Sequence, residues 1–304
     1  MESMTVSGPN GRSWNINYLY RSKSTIVVPA KHGVFSFYLN DDPIGTALAI
    51  YGEWSEQEFD VIDKLINTDS NCIDIGANVG THTVPLAKKC FRGLTFAVEP
   101  QFYIFQSLNT NIFLNDCYNV VPYNVGLSNE IEYTTGAVSD PTSVSGRNYG
   151  EFKITEQAES GIGIDCVKLD QLELYNKSID FIKMDVESHE CSVLLSGKQL
   201  ITKDKPNMYI EFNDDDGNDQ MIDILKQYGY NCYWHHYPKH NPNNFNNAKT
   251  IWDEQAPKIF GTVNQWYEAN LIAIHASKDT GLFDQPISRG DNINEYLLRI
   301  GLIT

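Results

Sequence analysis

The chain has 304 residues, a formal net charge of −16 at pH 7, and 41% hydrophobic residues. This length suits one large domain or two small ones, and the composition is that of a globular protein with an apolar core. The negative net charge argues against nucleic-acid binding, which usually requires a basic patch on the protein. It also argues against binding to an anionic membrane surface.

Targeting and redox signals are weak. There is no run of eighteen apolar residues, so no membrane span is predicted. The first fifteen residues contain neither a basic nor an apolar region, so no signal peptide is expected. The six cysteines are widely spaced without a CxxC pair, which favours reduced, mostly buried thiols and a cytoplasmic location. They are Cys72, Cys90, Cys117, Cys166, Cys191 and Cys232.

The N-terminal part is predicted to form a β extension over residues 1–50. Apolar and polar residues alternate over 12–39, which indicates two or three short antiparallel strands. Residues 53–67 then carry apolar side chains at helical spacing, and Ser55 is predicted to cap that helix.

From residue 71 onward, short apolar strands alternate with helical patterns. Strands are predicted at 72–75, 94–98, 119–127, 178–186, 206–212, 230–237 and 269–275. Helices are predicted at 80–90, 101–115, 189–203 and 218–229, with a loop or mobile hairpin at 135–162 and a long polar loop at 238–260. This order predicts an α/β fold with a doubly wound, mainly parallel, seven-stranded sheet, with a main domain over 51–276 and a tail over 277–304.

The stretch CIDIGANVGTHT (72–83) contains the first chemical signal. It lacks the lysine of a phosphate-binding P-loop. It also lacks the second glycine of a dinucleotide fingerprint, and Asp74 at the strand end would repel a pyrophosphate. An ordinary strand, turn and helix is the plain alternative.

A ligand with a positive charge reverses the electrostatic argument. S-adenosylmethionine carries an ammonium and a sulfonium and no phosphate, so an acidic residue at the first strand suits it. Glu99 follows the next strand, nineteen residues after Gly80, where a carboxylate can accept both ribose hydroxyls. Nicotinamide cofactors use the same position, so Glu99 alone does not discriminate between the two.

Several segments together resemble the FkbM family of class I S-adenosylmethionine-dependent methyltransferases. They are YGEWSEQEFD (51–60), CIDIGANVGTHTVPLA (72–87), VEPQFYIFQSLNTN (98–111), NVGLS (124–128) and FIKMDVESHECSVLLSG (181–197). The resemblance covers roughly residues 50–215 and implies a Rossmann-like methyltransferase. Its members are mostly O-methyltransferases acting on sugars and secondary metabolites. Ser188 departs from the family pattern, which usually has glycine there.

The resemblance also implies which residues contact the cofactor. We expect these to be Glu53, Asp74, Gly76, Ala77, Asn78, Gly80, Thr81, His82, Thr83, Glu99, Pro100, Gly126 and Asp185.

Methylation of a hydroxyl requires a base, because a neutral hydroxyl is a poor nucleophile. Asp185 is the leading candidate, and Glu187 is expected to contact the methionine ammonium or the acceptor, although the two roles could be exchanged. Both are predicted to be catalytic. Acidic residues here could instead simply favour a helix N-terminus.

The predicted acceptor site lies beside these carboxylates. Its expected residues are His189, Glu211, Asn213 and Asn244, and the asparagine-rich loop that contains Asn244 suits a sugar. His235, His236 and His240 cluster, but adjacent histidines point to opposite faces of a strand, and Asp214–Asp216 lack calcium-loop spacing. No metal is therefore predicted.

The predicted function is S-adenosylmethionine-dependent O-methylation of a small-molecule or glycan hydroxyl. An N-methyltransferase, a nicotinamide-dependent oxidoreductase and a non-catalytic scaffold that keeps the fold remain alternatives. The DxGxNxG order of Asp74 to Gly80 disfavours the oxidoreductase.

Overall fold

The computed structural model describes residues 2–7, 13–136, 154, 162–212, 218–238, 241–249, 267–283 and 286–287. The strands are β1 (Glu2–Ser7), β2 (Ser13–Tyr18), β3 (Tyr20–Arg21), β4 (Thr25–Ala30), β5 (Gly33–Tyr38), β6 (Cys72–Ile75), β7 (Thr95–Val98), β8 (Val120–Tyr123), β9 (Gly126–Leu127), β10 (Tyr133–Gly136), β11 (Ile162–Val167), β12 (Phe181–Met184), β13 (Asn207–Glu211), β14 (Tyr230–Pro238) and β15 (Tyr267–His275). The helices are α1 (Ile44–Ile50), α2 (Glu56–Leu65), α3 (Thr83–Lys89), α4 (Phe102–Leu114), α5 (Glu190–Ser196), α6 (Lys198–Asp204) and α7 (Asn218–Gln227).

The central sheet has seven strands in the order β14-β15-β13-β12-β6-β7-β8. The five strands from β13 to β8 are parallel to their neighbours, whereas β15 runs antiparallel to both β13 and β14. The predicted mainly parallel, seven-stranded α/β sheet is confirmed. Strands β6, β7 and β12 are buried throughout, as expected when helices cover both faces of a parallel sheet.

Two apolar layers cover the sheet. On one face, Val193 and Leu194 of α5 and Leu225 of α7 pack against alternate residues of the strands. On the other face, Ile62 of α2 and Leu86 of α3 pack against the residues between them. Successive side chains of a strand point to opposite faces of the sheet, so they pack into different layers. The same alternation decides which polar side chains lie on one face.

The N-terminal extension contains the predicted antiparallel strands, β3-β4-β5, and the hairpin β1-β2. Helix α1 was not expected within residues 1–50. The outer edge of β5 is held by α4, because Asn111 exchanges hydrogen bonds of 2.6 and 3.0 Å with the Ser36 backbone. Asn115 does the same with Val34, at 3.0 and 2.7 Å. The extension is therefore fixed to the main sheet through α4.

Three local expectations differ from the structure. The helix expected at 189–203 is two helices, α5 and α6, separated at Gly197. Ser55 does precede α2, but its φ of 46° is left-handed and its hydroxyl makes no capping hydrogen bond. The strand expected at 119–127 is two strands, β8 in the main sheet and β9, which forms a small separate sheet with β10 and β11.

The described cysteines agree with the expectation of free, mostly buried thiols. All six cysteines are free, and all but Cys191 are buried. Ile287 is buried in the core and donates its backbone N–H to Cys232 O at 2.8 Å, so this part of the tail packs on the sheet. Among the described residues, helices of the length and apolarity needed to cross a bilayer are absent.

Candidate active site

The site forms where the parallel strands end. Asp74 lies near the end of β6, Gly76 and Glu99 follow β6 and β7, Asp185 follows β12, and Glu211 closes β13. The strands are in register at this edge, with Ile75 opposite Val98 and Met184 opposite both Ile75 and Ile210. Four carboxylates therefore lie at or near the edge of the sheet where α/β folds bind ligands.

The loop after β6 turns through left-handed backbone. Its φ values are 79° at Gly76, 49° at Asn78 and 94° at Gly80. A Cβ at Gly76 would lie only 1.7 Å from Asp185 O, so the loop and the end of β12 are in direct contact. Glycine is required at position 76 both for its backbone conformation and for this close approach.

Asp74 lies beneath this loop. It is 0% exposed, and its Oδ2 accepts a hydrogen bond of 2.6 Å from Thr83 Oγ1. Its Oδ1 has no hydrogen-bond partner among the described residues. In register, Asp74 sits opposite Lys183 on β12. Asp74 therefore ties β6 to the first residue of α3, beneath the loop that connects them.

Glu99 is held by two backbone donors. Its Oε2 accepts from Asn78 N at 2.9 Å and its Oε1 from Gln101 N at 2.8 Å. Burial raises the pKa of Glu99 to about 7, although these two hydrogen bonds act in the opposite direction. A carboxyl in this position changes its charge near neutral pH.

Asp185 is paired with a buried lysine. Lys183 Nζ lies 2.9 Å from Asp185 Oδ2. Burial alone would raise the pKa of Asp185, but the charge and hydrogen bond of Lys183 outweigh it and lower the pKa. Burial would likewise lower the pKa of Lys183, but the charges of Asp185, Asp74 and Glu58 raise it. Lys183 thus carries a fixed positive charge at the centre of an acidic site.

Glu211 adjoins Asp185 on the neighbouring strand, and the two side chains share a hydrogen bond. One oxygen from each of Asp185, Glu187 and Glu211 lies within 4.8 Å of the others. Burial, and then the charges of Asp185 and Glu187, raise the pKa of Glu211 well above its usual value. The structure therefore brings together the predicted residues Asp185, Glu187 and Glu211, with opposite pKa shifts in the first and last.

A buried polar network behind these carboxylates was not predicted. His82 Nε2 lies 3.0 Å from Glu58 Oε2, and Glu58 Oε1 accepts from Asn270 Nδ2 at 3.0 Å and from the Tyr237 hydroxyl. Glu58 had a sequence signal, because it shares the helix face of Val61 and Ile62. Lys183 had one too, since a lysine inside the short buried strand FIKM requires a partner.

Ser188 takes the backbone conformation that glycine would favour. The φ values of Glu187 and Ser188 are 54° and 72°, so two consecutive residues are left-handed. Replacing the usual glycine by serine has thus kept the turn, at a conformational cost of about 1–2 kcal/mol.

We expect Ser188→Gly to raise the free energy of unfolding by roughly 0.5–1 kcal/mol, because the relieved strain exceeds the entropy that glycine loses on folding. Urea denaturation measures this. Ser188→Ala is the control, since it removes the hydroxyl and keeps the Cβ. Equal stabilisation by both variants would show that backbone strain is not the cause.

Several predicted cofactor residues have clear structural roles. A Cβ at Gly126 would lie 2.7 Å from Cys166 Sγ, so glycine allows β9 to pack against β11. Pro100 O accepts from Asn124 Nδ2 at 3.0 Å. Ala77 N donates to Val98 O at 3.0 Å, and Thr81 is buried in the loop. Their contact with a cofactor stays a prediction.

Glu53 anchors the asparagine-rich loop. Its two oxygens accept from Asn241 Nδ2 at 2.7 Å and from Phe245 N at 3.0 Å. Asn244 is buried, and its side-chain amide bonds to Asn241 O, Ala248 O and Ala248 N. Glu53 and Asn244 therefore hold the loop in place, and their roles toward cofactor and acceptor stay predictions.

The remaining candidates are less informative. His189 precedes α5, and its burial lowers its pKa. Asn213, His240 and Asp214–Asp216 lie outside the described residues. His235 Nδ1 lies 2.7 Å from the Tyr209 hydroxyl, so this histidine belongs to the buried network and not to a histidine cluster.

The sequence profile described as the Methyltransferase FkbM domain matches residues 74–232, which is more than half of the chain. The chain belongs to the FkbM methyltransferase family. This match includes Asp74, the glycine loop, Glu99, Asp185 and Glu211, so the family region contains the whole carboxylate edge described above. No curated protein matches the chain in sequence.

Solved structures with a similar chain trace are distant from this FkbM-family chain. An FkbM methyltransferase from Methylobacillus flagellatus KT is 16% identical, with a TM-score of 0.41, over 68% of this chain and 44% of the other. The present chain thus matches less than half the length of that protein. A precorrin-6y C5,15-methyltransferase from Geobacter metallireducens GS-15 is 12% identical, with a TM-score of 0.45, over 73% and 88% of the two chains. Aeropyrum pernix fibrillarin, solved with S-adenosyl-L-methionine, is 10% identical, with a TM-score of 0.40, over 89% and 92%.

Proposed function

We propose that this chain is an S-adenosylmethionine-dependent O-methyltransferase that acts on a hydroxyl of a sugar, glycan or secondary metabolite. The side chains at the site fit this cofactor, because Asp185, Glu187 and Glu211 cluster at one edge of the sheet and Lys183 is paired with Asp185. When bound, S-adenosylmethionine supplies a methyl group on a positively charged sulfur. A phosphate-bearing cofactor would be repelled by the same carboxylates.

The cofactor would be held by residues of the loop and of the strand ends. Glu99 would accept hydrogen bonds from the ribose hydroxyls, since its two oxygens together offer more lone pairs than the donors of Asn78 and Gln101 occupy. Asp185 and Glu187 would face the positively charged groups. Gly76 and Gly80 would let the ligand approach the backbone.

The observation that favours a hydroxyl acceptor is the hydrogen-bonded pair of carboxyl groups, Asp185 and Glu211, beside the cofactor loop. A hydroxyl must lose its proton as its oxygen is methylated, and a partly buried carboxylate can take that proton. A neutral amine can attack through its lone pair without a base. An N-methyltransferase would therefore not need this pair.

Cofactor affinity should depend on pH through Glu99, whose pKa is about 7. The ionised form accepts more hydrogen bonds than the protonated form, so affinity should be greatest above the pKa. We expect it to fall by up to about tenfold per pH unit as the pH decreases below 7. Calorimetric titration with S-adenosylmethionine between about pH 5.5 and 8.5 measures this.

The control for that titration is Glu99→Gln, which keeps the shape of the side chain and cannot ionise. We expect weaker binding, and the part of the pH dependence centred near 7 should disappear. If the variant and the native chain showed the same affinity at every pH, Glu99 would not be a cofactor ligand.

The loop over residues 241–249 is the proposed acceptor-binding element. Its asparagine side chains are largely occupied by structural hydrogen bonds, whereas the Phe245 ring is 47% exposed. An exposed aromatic ring beside polar groups is the surface that a sugar ring can stack on.

We therefore expect Phe245→Ala to raise the KM for the acceptor about five- to tenfold, because roughly 1 kcal/mol of stacking is lost, with cofactor affinity unchanged. Steady-state kinetics with any accepted saccharide would check this. Phe113→Ala, an exposed phenylalanine on α4, is the matched control. An unchanged KM in Phe245→Ala would remove this loop from the proposal.

A further inference from the structure

The two carboxyl groups of the Asp185–Glu211 pair are not equivalent. They end neighbouring parallel strands, in register, and share a hydrogen bond. Lys183 Nζ is 2.9 Å from Asp185 Oδ2, and the Lys183 side chain is 4% exposed whereas that of Asp185 is 34% exposed, so the ammonium is buried and depends on this carboxylate for its compensation. A proton moving onto Asp185 would leave a buried ammonium with less compensation, which is unfavourable.

Glu211 lies among negative charges. Asp185 and Glu187, from the end of β12, and Glu190, from α5, all act on it, and Asn270 of β15 lies opposite it in the sheet. Lys183 contacts Asp185, and His82 acts electrostatically on the same carboxylate. Carboxyl groups this close to one another cannot all be ionised, so one of them retains a proton. Burial together with these charges raises the pKa of Glu211 and makes it that carboxyl.

We propose that Glu211, and not Asp185, is the catalytic proton acceptor. In the free protein Glu211 holds a proton that a bound cationic cofactor displaces, and Asp185 is a positioning residue whose charge Lys183 fixes. This inference rests on the proposed function. It differs from the sequence-based expectation, which made Asp185 the leading base.

The proton balance of the transfer follows from this assignment. The acceptor oxygen forms a bond to the methyl carbon, the methyl–sulfur bond breaks with its electron pair remaining on sulfur, and the hydroxyl proton moves to the Glu211 carboxylate. One positive charge on sulfur and one negative charge on Glu211 are lost together. The site ends with Glu211 protonated, as it began before the cofactor was bound.

The test is the number of protons released when S-adenosylmethionine binds. Calorimetry at about pH 8 in phosphate and in Tris gives this number, because the measured heat includes the ionisation heat of the buffer. Glu99, with a pKa of about 7, is about nine-tenths ionised at that pH and contributes little. We expect the native chain to release a substantial fraction of one proton, and Glu211→Gln to release no more than Glu99 accounts for.

A second variant keeps the test decisive if Glu211→Gln does not fold. Glu187→Gln removes one of the charges acting on Glu211, so its proton release should move to lower pH. Equal release by the native chain and Glu211→Gln, with both binding the cofactor, would overturn the inference and leave the proposed function intact. Failure of the native chain to bind S-adenosylmethionine would overturn both.

Discussion

Replacing Gly76 with alanine is expected to reduce S-adenosylmethionine binding more than a hundredfold and to destabilise the fold by roughly 2–5 kcal/mol. The new Cβ would lie 1.7 Å from Asp185 O, and the φ of 79° is itself unfavourable for alanine. The loop must therefore separate from the end of β12, which moves the backbone of the cofactor site and Asp185 apart. Urea denaturation and calorimetric titration measure the two effects.

Gly281→Ala is the matched control for this prediction. Gly281 has a similar φ of 71°, and a Cβ there would meet nothing within 4 Å. The free energy of unfolding of Gly281→Ala should fall by only about 1–2 kcal/mol, the cost of a left-handed backbone for alanine. This variant should bind the cofactor as the native chain does. If the two alanine variants were equally stable and bound equally well, the contact between the loop and β12 would be unimportant.

Lys183→Met is expected to lower the free energy of unfolding by about 3–5 kcal/mol at neutral pH, because it leaves Asp185, Asp74 and Glu58 without their shared cation. The lowered pKa of Asp185 contributes stability above about pH 4, where the unfolded carboxyl is ionised, and that contribution is lost in acid. The difference in free energy of unfolding between the native chain and Lys183→Met should therefore become smaller as the pH falls. Urea denaturation at several pH values measures it.

Lys203→Met provides the control. Lys203 is 80% exposed and lies 3.5 Å from Asp204, so its removal should cost no more than about 1 kcal/mol. Two results would contradict the role of Lys183 as the central cation. One is a loss of unfolding free energy in Lys183→Met as small as in the control, and the other is a loss that is the same at every pH.

Much of the fold could be predicted because short apolar runs and helical spacing identify strands and helices locally. The runs CIDI and FIKM are such cases, and both are buried parallel strands. Helix α1 was not predicted because IGTALAI is short and mainly apolar, a pattern that buried strands and helices share. Ser55 failed as a capping residue because its left-handed φ directs its hydroxyl away from the helix donors, and side-chain type alone does not reveal backbone conformation.

The site was partly predictable for a similar reason. Carboxylates at the ends of parallel strands must meet at one edge, so Glu99, Asp185 and Glu211 could be grouped from the sequence. The difference between Asp185 and Glu211 could not, since it depends on which of them contacts Lys183.

The buried polar network around Glu58 also could not be predicted from the sequence. Glu58 is bonded to Asn270, 212 residues away in the chain, and such a pairing leaves no local pattern.

We expect the acidic edge of this FkbM-family sheet to bind a cationic, sulfur-containing cofactor. The most direct measurement is calorimetric titration of the native chain and Gly76→Ala with S-adenosylmethionine, S-adenosylhomocysteine and NAD. We expect binding of the two sulfur ligands in about the micromolar range, none of NAD, and loss of binding in the variant. Binding of NAD, or no binding of either sulfur ligand to the native chain, would contradict the account.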